Sequence, residues 1–175
     1  MKRIKSVKTH HKEPMDNRRR NLLFGSIGAV ALIIVIIMLI ENQGGRLKIN
    51  NASDLKLEYM KAYFVDVEGP LHDPLVFENI DSDSKVAIPL GNMKLYGREA
   101  NLELRFKFEN YEKEYLIDAG YFNENFNGKI NISFSNTGED VIKLKIKATN
   151  GLLPSKLIQC DEETDIYYKE GILSE

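Results

Sequence analysis

Hydrophobic and polar positions follow two different patterns along this chain. From Leu22 to Ile40 nineteen residues pass without a charge (LLFGSIGAVALIIVIIMLI). At a rise of ~1.5 Å per residue that run makes a helix of ~28 Å, close to the ~30 Å hydrocarbon core of a bilayer. Thirteen of the residues are Leu, Ile, Val or Phe. Their insertion preferences sum to ~4–8 kcal/mol in favour of lipid. The run therefore predicts a transmembrane helix.

Beyond it the period changes to two. Leu102-x-Leu104-x-Phe106-x-Phe108 alternates with Glu103, Arg105 and Lys107, and Ile142-x-Leu144-x-Ile146 alternates with Lys143, Lys145 and Lys147. Ile130-x-Ile132-x-Phe134 is a third such run. One buried and one wet face per strand is the mark of antiparallel sheet. Asn136-Thr137-Gly138-Glu139 lies between the last two runs and predicts a hairpin turn, with Gly138 at positive φ. Leu55 to Val67 fits a long strand, bulged near Lys61, better than a helix, because β-branched and aromatic residues dominate it. Shorter strand candidates are Val86–Ile88, Met93–Tyr96, Tyr115–Ile117, Ser155–Ile158 and Ile166–Tyr168. Gly69-Pro70, Pro89 to Asn92, Gly120, Asn127-Gly128 and Asn150-Gly151 punctuate them as turns.

Many short strands with frequent turns predict an all-β, antiparallel β-sandwich rather than βαβ units. The stretch Lys129 to Gly151 resembles adjacent strands of immunoglobulin-like sandwich domains, which implies that fold class and names no family. The expected organisation is a basic tail over 1–21, the transmembrane helix over 22–40, a polar Gly-containing linker over 41–51, and the sandwich over 52–175.

Charge sets the topology. Residues 1–20 hold eight basic residues against Glu13 and Asp16, a formal +6, with Arg18-Arg19-Arg20 abutting the apolar run. Positive flanks stay cytoplasmic, so the N-terminus is expected inside and the C-terminal domain outside the cell membrane. The apolar run exceeds the ~7–15 residues of a cleaved signal, and no convincing cleavage site follows it, so an uncleaved signal-anchor is expected. The tail's basic residues imply contact with anionic lipid headgroups, worth ~1 kcal/mol each. Gly25-x-x-x-Ala29 is a weak small-residue pair of the kind that brings helices together.

Past the helix stand sixteen basic and twenty-four acidic residues, a formal −8. That balance argues for solubility and against polyanionic partners such as nucleic acid or phosphate polymers of a cell wall. Cys160 is the lone cysteine, so no intrachain disulfide exists and an apolar core must hold the domain. A buried thiol is the expected state.

Raw material for catalysis is poor. His72 is the one histidine past the helix, Gly-x-Ser-x-Gly is missing, the set of Ser-x-x-Lys with Ser-Asp-Asn and Lys-Thr-Gly is not present, and no Gly-rich phosphate loop occurs. No enzyme, cofactor or metal assignment follows. The acidic groups Asp81-Ser82-Asp83-Ser84 and Asp161 to Asp165 lack a complete calcium-loop pattern. Asn51-x-Ser53 and Asn131-x-Ser133 are glycosylation sequons, relevant only in a eukaryotic secretory pathway. The Ile-, Lys- and Asn-rich, Trp-free composition suits an AT-rich Gram-positive bacterium better.

The most site-like stretch is Asp118 to Asn127. Tyr121, Phe122 and Phe126 stand there beside Asn123, and aromatic faces with amides suit a sugar or peptide ligand; the alternative is that the rings close the sandwich edge. The expected function is a single-pass membrane protein whose extracytoplasmic sandwich binds or scaffolds a protein partner in a cell-envelope assembly. A carbohydrate- or peptide-binding module using that loop is the alternative, and a small membrane-anchored hydrolase is the third reading.

Overall fold

A computed structural model of the chain describes residues 16–41, 44–95, 97–151 and 155–169. The chain separates into two compact units, Met1–Asn42 and Gln43–Glu175.

The first unit contains helix α1 (Asn17–Glu41). Asp16 caps it: its carboxylate accepts from the Arg18 N–H at 3.4 Å, and its carbonyl accepts the first helical bond, from the Arg20 N–H, at 2.9 Å. The helix thus begins one turn before the apolar run, because capping and not hydropathy sets its start. The stretch Asn17–Leu39 is long and apolar enough to cross a membrane, and none of its most apolar window is buried. Ser26 donates its hydroxyl to the Leu23 carbonyl at 2.8 Å, so the polar group inside the run is satisfied within the helix.

The second unit is β-rich and built from two sheets. In chain order its strands are β1 (Gly45–Ala52), β2 (Leu57–Asp66), β3 (Gly69–Pro70), β4 (Leu75–Ile80), β5 (Ser84–Gly91), β6 (Ala100–Phe108), β7 (Glu114–Phe122), β8 (Lys129–Asn136), β9 (Val141–Thr149), β10 (Ile158–Gln159) and β11 (Asp161–Tyr167). Sheet A runs β11-β9-β8-β1-β5, and sheet B runs β10-β7-β6-β2-β3, with β4 also paired to β2. Every pairing is antiparallel except that of β1 with β8.

Alternation builds the core as expected. Leu102, Leu104, Phe106 and Phe108 of sheet B are buried, as are Ile130, Ile132, Phe134, Ile142, Leu144 and Ile146 of sheet A. The sheets meet where Phe106 stands edge-on to Phe134 at 5.1 Å between ring centroids. Full burial of each such side chain stabilises by ~1.5–3 kcal/mol, so this shared layer supplies the cohesion that disulfides cannot. The two sheets form a sandwich-like domain around one apolar cluster.

Several boundaries differ from the sequence pattern. Residues 45–51, expected as linker, form most of β1, an interior strand of sheet A. Leu47 and Ile49 point into the core, and the third inward position is Asn51, a polar residue that hides the alternation. The strand expected at Ile166–Tyr168 begins earlier, at Asp161, and forms the edge strand β11. The β2 bulge lies between Leu57 and Tyr59, not at Lys61. Of Met93–Tyr96, Met93 forms a single bridge with Phe126, and Tyr96 lies outside the described residues. Only Ile158 of the Ser155–Ile158 candidate enters a strand. The β8–β9 hairpin forms as expected, closed by Thr137 N–H to Val141 carbonyl at 3.1 Å, but Gly138 is not among the glycines at positive φ.

Candidate functional site

The loop between β7 and β8 was the prime candidate, and its aromatic rings point inward. Phe122 and Phe126 are both 0% exposed. Phe64 of β2 meets Phe122 edge-on at 4.9 Å and Phe126 at 5.9 Å, and the two loop rings meet each other at 5.5 Å. Neither offers a face to a ligand. Tyr121 and Asn123 stay half-buried, with the Asn123 amide donating to the Tyr121 hydroxyl at 3.1 Å.

The amides of this region serve the backbone. Asn125 Oδ1 accepts from the Leu95 N–H at 3.0 Å. Asn150 Oδ1 accepts from the Asn127 N–H at 3.0 Å, and its Nδ2 donates to Glu124 Oε1 at 3.0 Å and to the Asn125 carbonyl at 3.2 Å. Unpaired backbone groups near a core are costly, so amides at these positions lace an irregular loop onto the sandwich end.

The groups that suggested chemistry are also dispersed into structural roles. His72 Nε2 accepts from the Phe64 N–H at 3.2 Å, leaving Nδ1 to donate to the Asp73 carbonyl at 2.7 Å. It therefore fixes the β3–β4 loop to β2. Cys160 is buried, and burial pushes its thiol up to about 12, with Glu162 and Asp161 adding to the effect. A thiol held there is a poor nucleophile at neutral pH. Asp81 to Ser84 is the β4–β5 turn, with the Ser84 hydroxyl donating to the Asp81 carbonyl at 2.6 Å. Among the described residues no group of three or more His, Cys, Asp or Glu could hold a metal ion.

Asn51 of the first sequon is wholly buried. Its Nδ2 donates to the carbonyls of Leu55 at 2.8 Å and Asp81 at 3.0 Å, and its Oδ1 accepts from the Ser53 hydroxyl at 2.6 Å. The folded domain presents no Asn51 amide to a glycosyl donor.

Charged surface is what remains, and the two outer faces differ. On sheet B, Arg105 Nε donates to Glu103 Oε1 at 2.8 Å and to the Tyr63 hydroxyl at 2.7 Å, Tyr63 also donates to Glu103, and Tyr59 donates to Glu114. Burial pushes the Glu103 carboxyl up, but the hydrogen bonds from Tyr63 and Arg105 outweigh it and hold the group below the usual range. Lys107 pairs with Glu58 at 2.7 Å. Most charges of this face are compensated within it, and Lys61, the register partner of Arg105, lies over the Tyr59 ring.

Sheet A is compensated only along β11. There Lys147 meets Asp161 at 2.5 Å and Lys145 meets Glu163 at 2.5 Å, opposite each other in register. Both carboxyls are held below their ordinary values by the hydrogen bond from the facing lysine. Toward the other edge, Arg46, Lys48, Lys85 and Lys129 are exposed, and among the described residues they have no ion-pair partner. The net charge of −8 gave no sign of this segregation; only strand register brings the four together. No protein-family model, curated protein or solved structure matches the chain.

Proposed function

We propose that this chain is a single-pass membrane protein, N-terminus cytoplasmic, that displays an extracytoplasmic immunoglobulin-like sandwich and binds or scaffolds partners in a cell-envelope assembly. The observation that carries the reading is the pairing of an apolar helix with none of its core window buried and a separate unit whose own core is closed. A helix bearing Leu22, Phe24, Ile27, Leu32 and Leu39 exposed to this degree needs an apolar surrounding, and a bilayer supplies one.

Orientation is supported by Arg18, Arg19 and Arg20 in the first helical turn. Cations oppose the helix dipole there by ~0.3–1 kcal/mol each, so helix stability does not account for them, whereas retention on the cytoplasmic side does. The same tail would meet anionic headgroups. A binding role is favoured over catalysis because the residues with nucleophilic or general-base chemistry, Cys160 and His72, are committed to packing and to backbone contacts. The carbohydrate or peptide reading loses its two phenylalanine rings to the core and rests on Tyr121 and Asn123 alone.

Protease added to intact cells or protoplasts tests the topology. The expected result is loss of an epitope placed after Glu175 with protection of one placed before Arg18. Survival of the C-terminal epitope in intact cells, with digestion after lysis, would overturn the proposal. Crosslinking from exposed positions of the sandwich in intact cells then identifies the partner.

A further inference from the structure

We infer that the outer face of sheet A is a binding surface for a flexible, phosphate-bearing polyanion that carries no bases. The inference goes beyond the proposed function and does not depend on the orientation of the chain in a membrane.

Strand register lays out the face in rows. One row reads Pro89, Arg46, Lys129, Thr149 across β5, β1, β8 and β9. The next reads Ala87, Lys48, Asn131, Lys147, ending at Asp161 of β11. The third reads Lys85, Asn50, Ser133, Lys145, ending at Glu163. Rows lie ~6.7 Å apart along a strand and strands ~4.8 Å apart, so Lys129, Arg46, Lys48 and Lys85 follow β1 for roughly 13 Å. Between the cations the side chains are short: Ala87, Asn50, Asn131 and Ser133. They floor a shallow depression that Lys48 and Lys85 border.

Three features point to an anionic occupant. First, Arg46 and Lys129 are direct register partners with like charge, an arrangement that destabilises a sheet unless an anion relieves it. Second, many cations elsewhere in the domain have carboxylate partners: Arg98 has Asp66 and Glu68, Arg105 has Glu103, Lys107 has Glu58, and Lys145 and Lys147 have β11, while Lys61 and Lys113 lie over the rings of Tyr59 and Tyr115. The four cations beside β1 lack such partners among the described residues. Third, the amides and hydroxyls between them add neutral hydrogen bonds to phosphate oxygens without adding negative charge.

The face has no aromatic side chain among these rows, and base stacking is what single-stranded nucleic-acid surfaces use. A base-free phosphate polymer fits better. The depression is open and shallow, which suits an extended chain rather than an enclosed small molecule.

The test uses the full chain in nanodiscs of zwitterionic lipid. Lys2, Arg3, Lys5, Lys8 and Lys12 are replaced by Gln in every sample, so that the tail does not capture the probe. Labelled inorganic polyphosphate is titrated by fluorescence polarisation. Binding is expected to weaken ~30-fold between 0.1 and 0.3 M salt, as for about four phosphate contacts. R46Q/K48Q/K85Q/K129Q should bind at least tenfold more weakly. K61Q/K94Q/K113Q/K156Q removes the same charge from elsewhere and should bind as the parent does. The charge-conserving K48R/K85R/K129R should retain binding, which separates a lost contact from a lost fold. Absence of polyphosphate binding at 0.1 M salt, equal loss in the two Gln variants, or tighter binding of single-stranded DNA than of polyphosphate would each overturn the inference.

Discussion

Asn51 offers the sharpest test of how this domain is held together. It occupies an inward position of β1 where alternation calls for an apolar side chain, and it is fully buried. Its amide donates to the Leu55 and Asp81 carbonyls, which ties the turn after β1 to the end of β4 across the two sheets. Its oxygen accepts from Ser53, itself buried. Asn51→Ala removes three hydrogen bonds: the Asp81 carbonyl keeps only the Ser84 hydroxyl, and the Leu55 carbonyl and Ser53 hydroxyl keep only their 3.2 Å contact with each other. At ~1 kcal/mol for each lost bond, and up to ~3 where the abandoned group stays dry, the cost should fall between ~2 and ~5 kcal/mol. Asn51→Asp should cost more, since it turns a donor into a charged acceptor facing carbonyls.

Ser53→Ala should cost only about 1 kcal/mol, and less still in the Asn51→Ala background, because the hydroxyl's shorter bond is then already gone and only the 3.2 Å contact with the Leu55 carbonyl remains. Urea unfolding followed by tyrosine fluorescence suits a chain with eight Tyr and no Trp. A loss under 0.5 kcal/mol for Asn51→Ala, or strict additivity of the two substitutions, would refute the claim that this buried network is a structural clasp.

Further outcomes follow from other sites. Gly120→Ala should destabilise strongly, because φ is +67° and the new Cβ would lie 2.4 Å from the Cys160 Cβ; a melting temperature within about 2 °C of the parent would contradict the packing. Cys160 should resist maleimide in the folded chain near pH 8 and react fully in urea, as burial holds its thiol near 12. Phe126→Ala should cost ~3–5 kcal/mol while Tyr121→Ala costs under about 1.5, measured by thermal melts, since only the first ring is fully buried. The carboxyls of Asp66, Asp161 and Glu163 have folded values below their unfolded ones, so their contribution is complete above the ordinary carboxylate range of roughly pH 4 and is lost as pH falls through it. Urea midpoints should therefore drop on acidification, and Asp161→Asn with Glu163→Gln should flatten that dependence.

How much of this was legible beforehand varied with the kind of residue involved. β6, β8 and β9 were plain because apolar and polar or charged residues alternate without a fault. The apolar helix was plain because nineteen residues run without a charge. β1 was obscured by Asn51, whose burial is stabilised by carbonyls 4 to 30 residues away that periodicity cannot see. Of β11 only the apolar end from Ile166 was legible, because the carboxylates before it make sense only opposite the lysines of β9. For Phe122 and Phe126 the sequence left a ligand platform and closure of the sandwich edge both open; the ring that covers them, Phe64, sits more than fifty residues earlier. The basic face escaped notice because summed charge erases position.

The parallel pairing of β1 with β8 has a consequence for biogenesis. An interior strand that comes first in the domain must wait for partners made later: β5, then β8, which ends at Asn136. The end of β8 lies 84 residues past the end of β1, so at synthesis rates of ~5–20 residues per second the second neighbour is complete only after roughly 4–17 s. Through that interval Leu47 and Ile49 stand on an open ribbon just past a greasy helix. A nascent chain of this design is most exposed to proteases and to mispairing before β8 has been delivered, and folding should be slowed by that long-range closure.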